Sequence, residues 1–246
     1  MALQWSAETL RLSLFFRENP KLSVADWKAI TGEDEPQTTQ TLATRRSLIG
    51  PFQGGVLNVS TVGSRIDAII LPKSPGETIE EGYIPAISPW PGACADYVKA
   101  TTQWLVGLDY PILRIAFAGT LLAKADSLQD SYTRLLGLLK SVKGDPERMR
   151  ELVYRVSWPQ KSKIIERMTL HRITTWAALQ IQLQLVVQTG IKSTMTETGA
   201  TYVIRFEFDH STDSERMEPF DRAQLVPIYD ELVALASENA EQGEVL

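Results

Sequence analysis

Glu207, Asp209, Asp213 and Glu215, with His210 among them, form the densest group of potential metal ligands in the chain. Glu207 and Asp209 are two apart in the run Thr201-Tyr-Val-Ile-Arg-Phe-Glu-Phe-Asp209. In an extended chain they share a face, and a divalent cation would find oxygen ligands from both, with Asp213 completing the candidate metal set. The spacing matches no established metal motif. The alternative is a solvated strand end running into an acidic, capping loop. A second group is Arg11, Arg114, Arg155 and Arg205, each on the polar side of an alternating segment. If their strands share one sheet, they form a basic strip for phosphate or carboxylate ligands, which guanidinium groups bind bidentately. The alternative is cross-strand pairing with Glu207, Asp209 and a row of glutamines.

Trp176 stands on the polar side of its segment beside Gln180, Gln182 and Gln184. An exposed aromatic in that setting suits a protein interface; burial beneath a helix is the other reading. Cys94, at the start of a helical segment, is either a thiol with a lowered pKa or a packed side chain. His171 and His210 are the two histidines, and with no paired nucleophile they leave little room for a Ser-His-Asp or Cys-His arrangement. Walker A, G-x-G-x-x-G, H-E-x-x-H and C-x-x-C motifs are all missing, which argues against nucleotide motors, dinucleotide oxidoreductases and common zinc enzymes. No cofactor is expected.

The elements that must position these residues follow from periodicity. Tyr202, Ile204, Phe206 and Phe208 alternate with Val203, Arg205, Glu207 and Asp209, which predicts a strand with one face dry and one wet. Leu10 to Phe16, Ile112 to Leu122, Glu151 to Trp158 and Thr175 to Gln188 are read the same way. In the last of these Ala177, Leu179, Ile181, Leu183, Leu185 and Val187 are expected inside. Val56 to Val62 and Arg65 to Leu71 flank Gly63-Ser64, a hairpin turn. Helices are expected from Val24 to Ile30 after Ser23, from Gly92 to Leu108, from Ser127 and from Asp221 to Glu238. The polar segment Glu33 to Thr44 reads as an exposed loop, and Thr189 to Gly199 as a turn-rich connection.

Pro72, Pro75, Pro85, Pro89 and Pro91 cluster between the two parts of the chain. The expected division is an N-terminal half at 1–75, a proline-rich linker at 76–91 and a C-terminal half at 92–246. The fold class is α+β, with antiparallel sheets carrying helices on one face. Two similar halves satisfy this order, although no sequence period marks a repeat.

At 246 residues and 43% hydrophobic content the chain is long enough for a substantial core. A net charge of −5 gives no bulk attraction to a phosphate backbone, so nucleic acid is not an expected partner. One cysteine permits no internal disulfide and points to a reducing compartment. No signal peptide and no membrane span are apparent, and the expected location is the cytoplasm.

Ser88-Pro-Trp-Pro-Gly92, the Trp-bearing helix after it, and Tyr110-Pro-Ile-Leu-Arg-Ile-Ala-Phe117 together resemble a sporadically distributed family of uncharacterised prokaryotic proteins of about this length. The strand Phe206-Glu-Phe-Asp209, the acidic loop and the terminal helix are similar to that family's C-terminal pattern, so the resemblance spans roughly 88–240. It implies an order of elements and no activity or cofactor. Sporadic families often travel with mobile elements and phage defence. The leading expectation is therefore a non-enzymatic α+β protein acting through protein–protein contact, as a homodimer or as an accessory subunit of a prokaryotic assembly. The rival is a metal-dependent enzyme or anionic-ligand-binding protein using Glu207 and Asp209 or the arginine strip.

Overall fold

The computed structural model describes residues 3–43, 45–75, 80, 82–182, 184–189, 192–197 and 200–245, with 184–189 and 192–197 described as backbone. The first part contains β1 (Ser6–Phe16), α1 (Val24–Thr31), β2 (Thr38–Leu42), β3 (Arg45–Phe52), β4 (Gly55–Val62) and β5 (Arg65–Pro72). The second contains β6 (Ser88–Pro89), α2 (Trp90–Gly107), β7 (Ile112–Ala125), α3 (Leu128–Leu138), β8 (Val153–Ser157), β9 (Gln160–Lys161), β10 (Thr169–Ile181), β11 (Gln184–Thr189), β12 (Lys192–Glu197), β13 (Thr201–Thr212) and α4 (Arg222–Gln242).

An 11-stranded sheet runs in the order β2-β3-β4-β5-β1-β7-β13-β10-β8, with β6 beside β1 and β9 beside β10. Its neighbours are antiparallel throughout, and β11 and β12 form a separate hairpin. The class is α+β. One sheet spans both parts of the chain because β1 pairs with β7. The helices contact a single face: α2 lies on β1, α3 on β10 and β13, and α4 on β7 and β13. Between sheet and helices sits one core, with Leu10, Leu12 and Leu14 from β1 and Ile204, Phe206 and Phe208 from β13 all buried in it. At roughly 25 cal/mol per Å² of apolar surface removed from water, this layer is the main source of stability.

The two parts repeat one topology. β1-α1-β3-β4-β5-α2 and β7-α3-β8-β10-β13-α4 each place the last strand between the third and the first. Side chains on the uncovered face follow the same scheme. Ser13 stands opposite Asp67, which stands opposite Ser60 and, beyond it, Ser47. In the second part Thr120 stands opposite Glu207, then Thr175, then Arg155. An arginine precedes each acid by two residues and pairs with it, Arg65 with Asp67 at 2.9 Å and Arg205 with Glu207 at 3.0 Å. Matching Ser13 to Thr120 also matches Arg11 to Ala118. Those two are themselves cross-strand partners, so a pseudo-two-fold axis passes between them.

Local signals place the helices. Asp26 accepts the Ser23 N–H at 2.7 Å, and its other oxygen takes Trp104 Nε1–H at 3.0 Å, which ties the first turn of α1 to α2. Gly32, with φ at 79°, ends α1 in the left-handed conformation that glycine adopts without a steric penalty. Ser127 caps α3 by accepting the Asp130 N–H at 3.0 Å. α4 starts after Asp221 and runs through Pro227 to Gln242, beyond the expected end at Glu238.

Tyr97 of α2 reaches into the sheet. Its hydroxyl donates to Ala68 O at 2.7 Å and accepts the Leu12 N–H at 2.8 Å, bridging two residues that face each other across β1 and β5. A buried backbone donor and acceptor would both lose their partner in Tyr97→Phe. The expected cost is ~1–3 kcal/mol, read as a lower urea midpoint with an unchanged slope.

Some expectations need correction. Thr38–Leu42, within the expected loop, is a strand at the sheet edge with every residue exposed. The segment expected as one strand to Gln188 ends at Ile181 and resumes as β11. Leu183, Gly190 and parts of the expected linker (76–79 and 81) lie outside the described residues, as do the side chains of Leu185 and Val187.

Candidate functional site

Alternation in β1, β7, β13 and β8 puts Arg11, Arg114, Arg205 and Arg155 on the face of the sheet opposite the helices. The sequence-derived polar faces of these four strands thus lie side by side. The same face also carries buried apolar side chains outside the helix-side core: Ala116, Ala118, Leu122, Ala177 and Val203. They give a polar surface a tightly packed floor.

The arginines are interleaved with acids. Arg205 lies 3.0 Å from Glu207 and 3.8 Å from Glu8, while Arg11 lies 3.6 Å from Asp209. Arg114 donates to Ser211 Oγ at 2.9 Å and stacks over the Phe15 ring at 4.8 Å. Arg155 is exposed and makes no ion pair among the described residues. Burial raises the Glu8 carboxyl pKa above its ordinary value; Arg205 opposes the shift and Glu207 adds to it. One guanidinium therefore serves two carboxylates, and of the four arginines Arg11 and Arg205 are ion-paired while Arg114 is held by Ser211 and Phe15.

A shallow depression of about 290 Å³ lies on this face, and Arg11 and Ala118, the pair on the pseudo-two-fold axis, are among the residues that line it. Thr9, Thr120 and Thr175 present hydroxyls to it, Ile69 and Ile173 are apolar contributors, and Arg155, Glu207 and Asp209 are its charged ones. Gly119, whose backbone also borders the depression, has no room for a side chain. A Cβ at that position would come within 2.7 Å of both Thr9 O and the Phe208 ring, beside the bulge between Ala7 and Thr9.

The candidate metal residues separate. Glu207 and Asp209 share the open face, each beside an arginine, whereas Asp213 lies past the end of β13 and accepts the Glu215 N–H at 2.9 Å. Among the described residues no group of three or more His, Cys, Asp and Glu side chains converges. His210 is adjacent to Asp209 in sequence but points the other way, buried beneath α4 with Nδ1 3.4 Å from Leu232 O. Burial pushes its pKa down to about 4. His171 lies on the open-face side of β10. Cys94 is buried and its thiol is pushed up to about 12, so it is a protonated, packed side chain at neutral pH.

Trp176 is not exposed, and burial beneath a helix, the other reading, is what the structure shows. It is fully buried in the helix-side core and stacks on Phe206 at 4.0 Å and 17°. Gln180 shares its side of β10 and Gln182 follows the strand end; both are exposed, and the Gln184 side chain lies outside the described residues. The face is dry at Trp176 and wet at Gln180. Conversely Ala177 and Leu179, expected inside, lie on the open side with Val203, the cross-strand partner of Leu179. Sequence reasoning missed Thr9, Thr120 and Thr175. Their signal was available only as the cross-strand row that links Arg155, Thr175, Glu207, Thr120 and Thr9 through five strands.

No helix among the described residues is long and apolar enough to cross a membrane. Comparison with family models, curated proteins and solved structures gives no match to this chain.

Proposed function

We propose that this is a non-enzymatic binding protein whose open sheet face docks a protein partner. The observation that carries this reading is the asymmetry of the sheet. Helices cover one face, while the other presents a packed floor under half-exposed charges, with Arg11 and Arg205 paired to Asp209, Glu207 and Glu8. Charges already satisfied in pairs define register and orientation on a partner at little desolvation cost, which favours a complementary protein surface over a small ion. The same pairing weighs against the rival reading, since a cation at Glu207 and Asp209 would have to displace Arg205 and Arg11. An accessory role in a prokaryotic assembly, including phage defence, belongs to this proposal through the family resemblance. A cytoplasmic setting belongs to it through the single cysteine of the sequence, which permits no internal disulfide.

The test is affinity capture from host extract with three baits: wild type, Thr175→Arg on the open face, and Lys99→Glu on α2. One protein retained by wild type and Lys99→Glu but lost with Thr175→Arg is the expected result. Equal capture by all three, or none by any, overturns the reading. A melting midpoint raised by Mn²⁺, and not raised in Glu207→Gln, would favour the metal alternative instead.

A further inference from the structure

The 11-stranded sheet has two edges, and they are guarded differently. At one end β8 carries Arg155 and runs directly into Trp158-Pro159, after which β9 folds back along β10. Charge, proline and a returning chain are the usual ways of blocking further strand addition. At the other end β2, Thr38-Thr-Gln-Thr-Leu42, carries no charge, no proline and no bulge, and all five residues are exposed. Leu42 is 69% exposed. One side of β2 pairs with β3 along its full length. Its other side presents a row of backbone N–H and C=O groups with no strand beside it among the described residues.

From this edge we infer that two copies of the chain pair antiparallel through β2, joining their sheets into one. The occupant is argued from charge. Glu33 and Glu35 precede β2, both exposed and in no ion pair among the described residues. Arg45 opens β3 at the opposite end of β2, across from Leu42, exposed and likewise without an ion pair among the described residues. Antiparallel pairing about the middle of β2 brings the acidic entry of one copy to the Arg45 end of the other, twice, by symmetry. A two-fold interface requires this self-complementarity: the same patch must carry both charges at opposite ends. The pairing also covers Leu42, which would face the Thr38 end of the second copy. Parallel pairing, or pairing with an unrelated strand, makes no use of this arrangement.

The inference concerns the sheet edge and leaves the open face free, so its failure does not touch docking there, which the Thr175→Arg capture measures separately. The experiment is light scattering coupled to gel filtration on the full chain over a wide concentration range. Wild type is expected to be a dimer. Glu33→Lys/Glu35→Lys and Arg45→Glu each place like charges together and are expected to weaken association by about tenfold or more. Mixing these two variants restores opposite charges at both contacts, and a heterodimer is the expected product. Thr39→Pro and Gln40→Pro form the backbone arm. Successive N–H groups point to opposite sides of a strand, so one proline removes a hydrogen bond to β3 and the other removes one to the second copy. One of the two is expected to be a folded monomer with wild-type circular dichroism. A monomeric wild type, or a dimer indifferent to both charge variants, overturns the inference.

Discussion

Trp176→Ala is expected to cost ~3–5 kcal/mol of stability, the range for removing a large aromatic side chain from a packed core. The indole stacks on Phe206 at 4.0 Å and meets Trp5 at 6.2 Å, so its loss leaves a cavity lined by both rings. Trp5 in turn donates to Ala240 O at 2.8 Å, which fastens the N-terminal strand to α4. Damage at Trp176 therefore spreads to the contact between the ends of the chain. Trp176 Nε1 is buried without a hydrogen-bond partner. Trp176→Phe removes that unmet donor while keeping an aromatic ring against Phe206, and should cost much less than alanine. Urea denaturation of both variants beside Gln180→Ala, which is expected to stay within about 0.5 kcal/mol of wild type, separates core from surface. A near-neutral Trp176→Ala would return this residue to the role of a surface contact.

How far the sequence discloses the fold varies strand by strand, for physical reasons. β13 is easily read because aromatics fall on one parity and charges on the other, and the helix layer covers the whole dry side. β10 is harder. Even-numbered residues from Leu170 through Trp176 to Gln180 share one side, but that side passes from beneath the helices into water along its length. The glutamines correctly indicate a wet end and mislead about Trp176. Arg172 and Thr174 are also on the buried side, so polarity alone does not identify it. β2 has no alternation to detect because neither of its faces is covered; its existence depends on pairing with β3. The repeat is hidden for a different reason. Equivalent residues are similar, not identical, as with Ser13 and Thr120 or Asp67 and Glu207, and unequal loops between strands prevent any constant spacing.

For the candidate site, alternation was enough to put four arginines on one face. It also offered pairing with Glu207 and Asp209 as the alternative to an open strip, and both acids do lie beside arginines; Glu8 with Arg205 was not anticipated, because the two residues are far apart in sequence. The same holds for the depression. Its lining includes Arg11 opposite Ala118, a small residue facing a long one on the pseudo-two-fold axis. A second arginine at position 118 would bring two guanidinium groups together there, whereas alanine leaves space beside Arg11.

Acidification between pH 6.5 and about 4 is expected to destabilise the protein by about 3 kcal/mol through His210 alone. The imidazole lies beneath α4, and burial holds its pKa down to about 4; Leu232 O offers only a long contact in compensation, and the nearby Arg172 further disfavours a second positive charge. Unfolding returns the ring to water, where its pKa is about 6.5. Above that pH both states are neutral and His210 contributes no pH dependence. Below it the unfolded chain takes up a proton that the folded chain refuses, so stability falls as pH falls, until the folded form also protonates near pH 4. Glu8 acts in the opposite direction. Its raised pKa lets the folded state bind a proton first, which adds stability as pH falls through the carboxylate range. Subtracting a His210→Leu profile from that of wild type isolates the histidine, because Glu8 and the surface carboxylates are common to both. Urea stability measured from pH 8 to 4 should give a difference that is flat above 6.5 and changes by about 3 kcal/mol below it. Parallel profiles would mean that His210 accepts a proton in the folded protein as readily as in water, and α4 would then have to open over it.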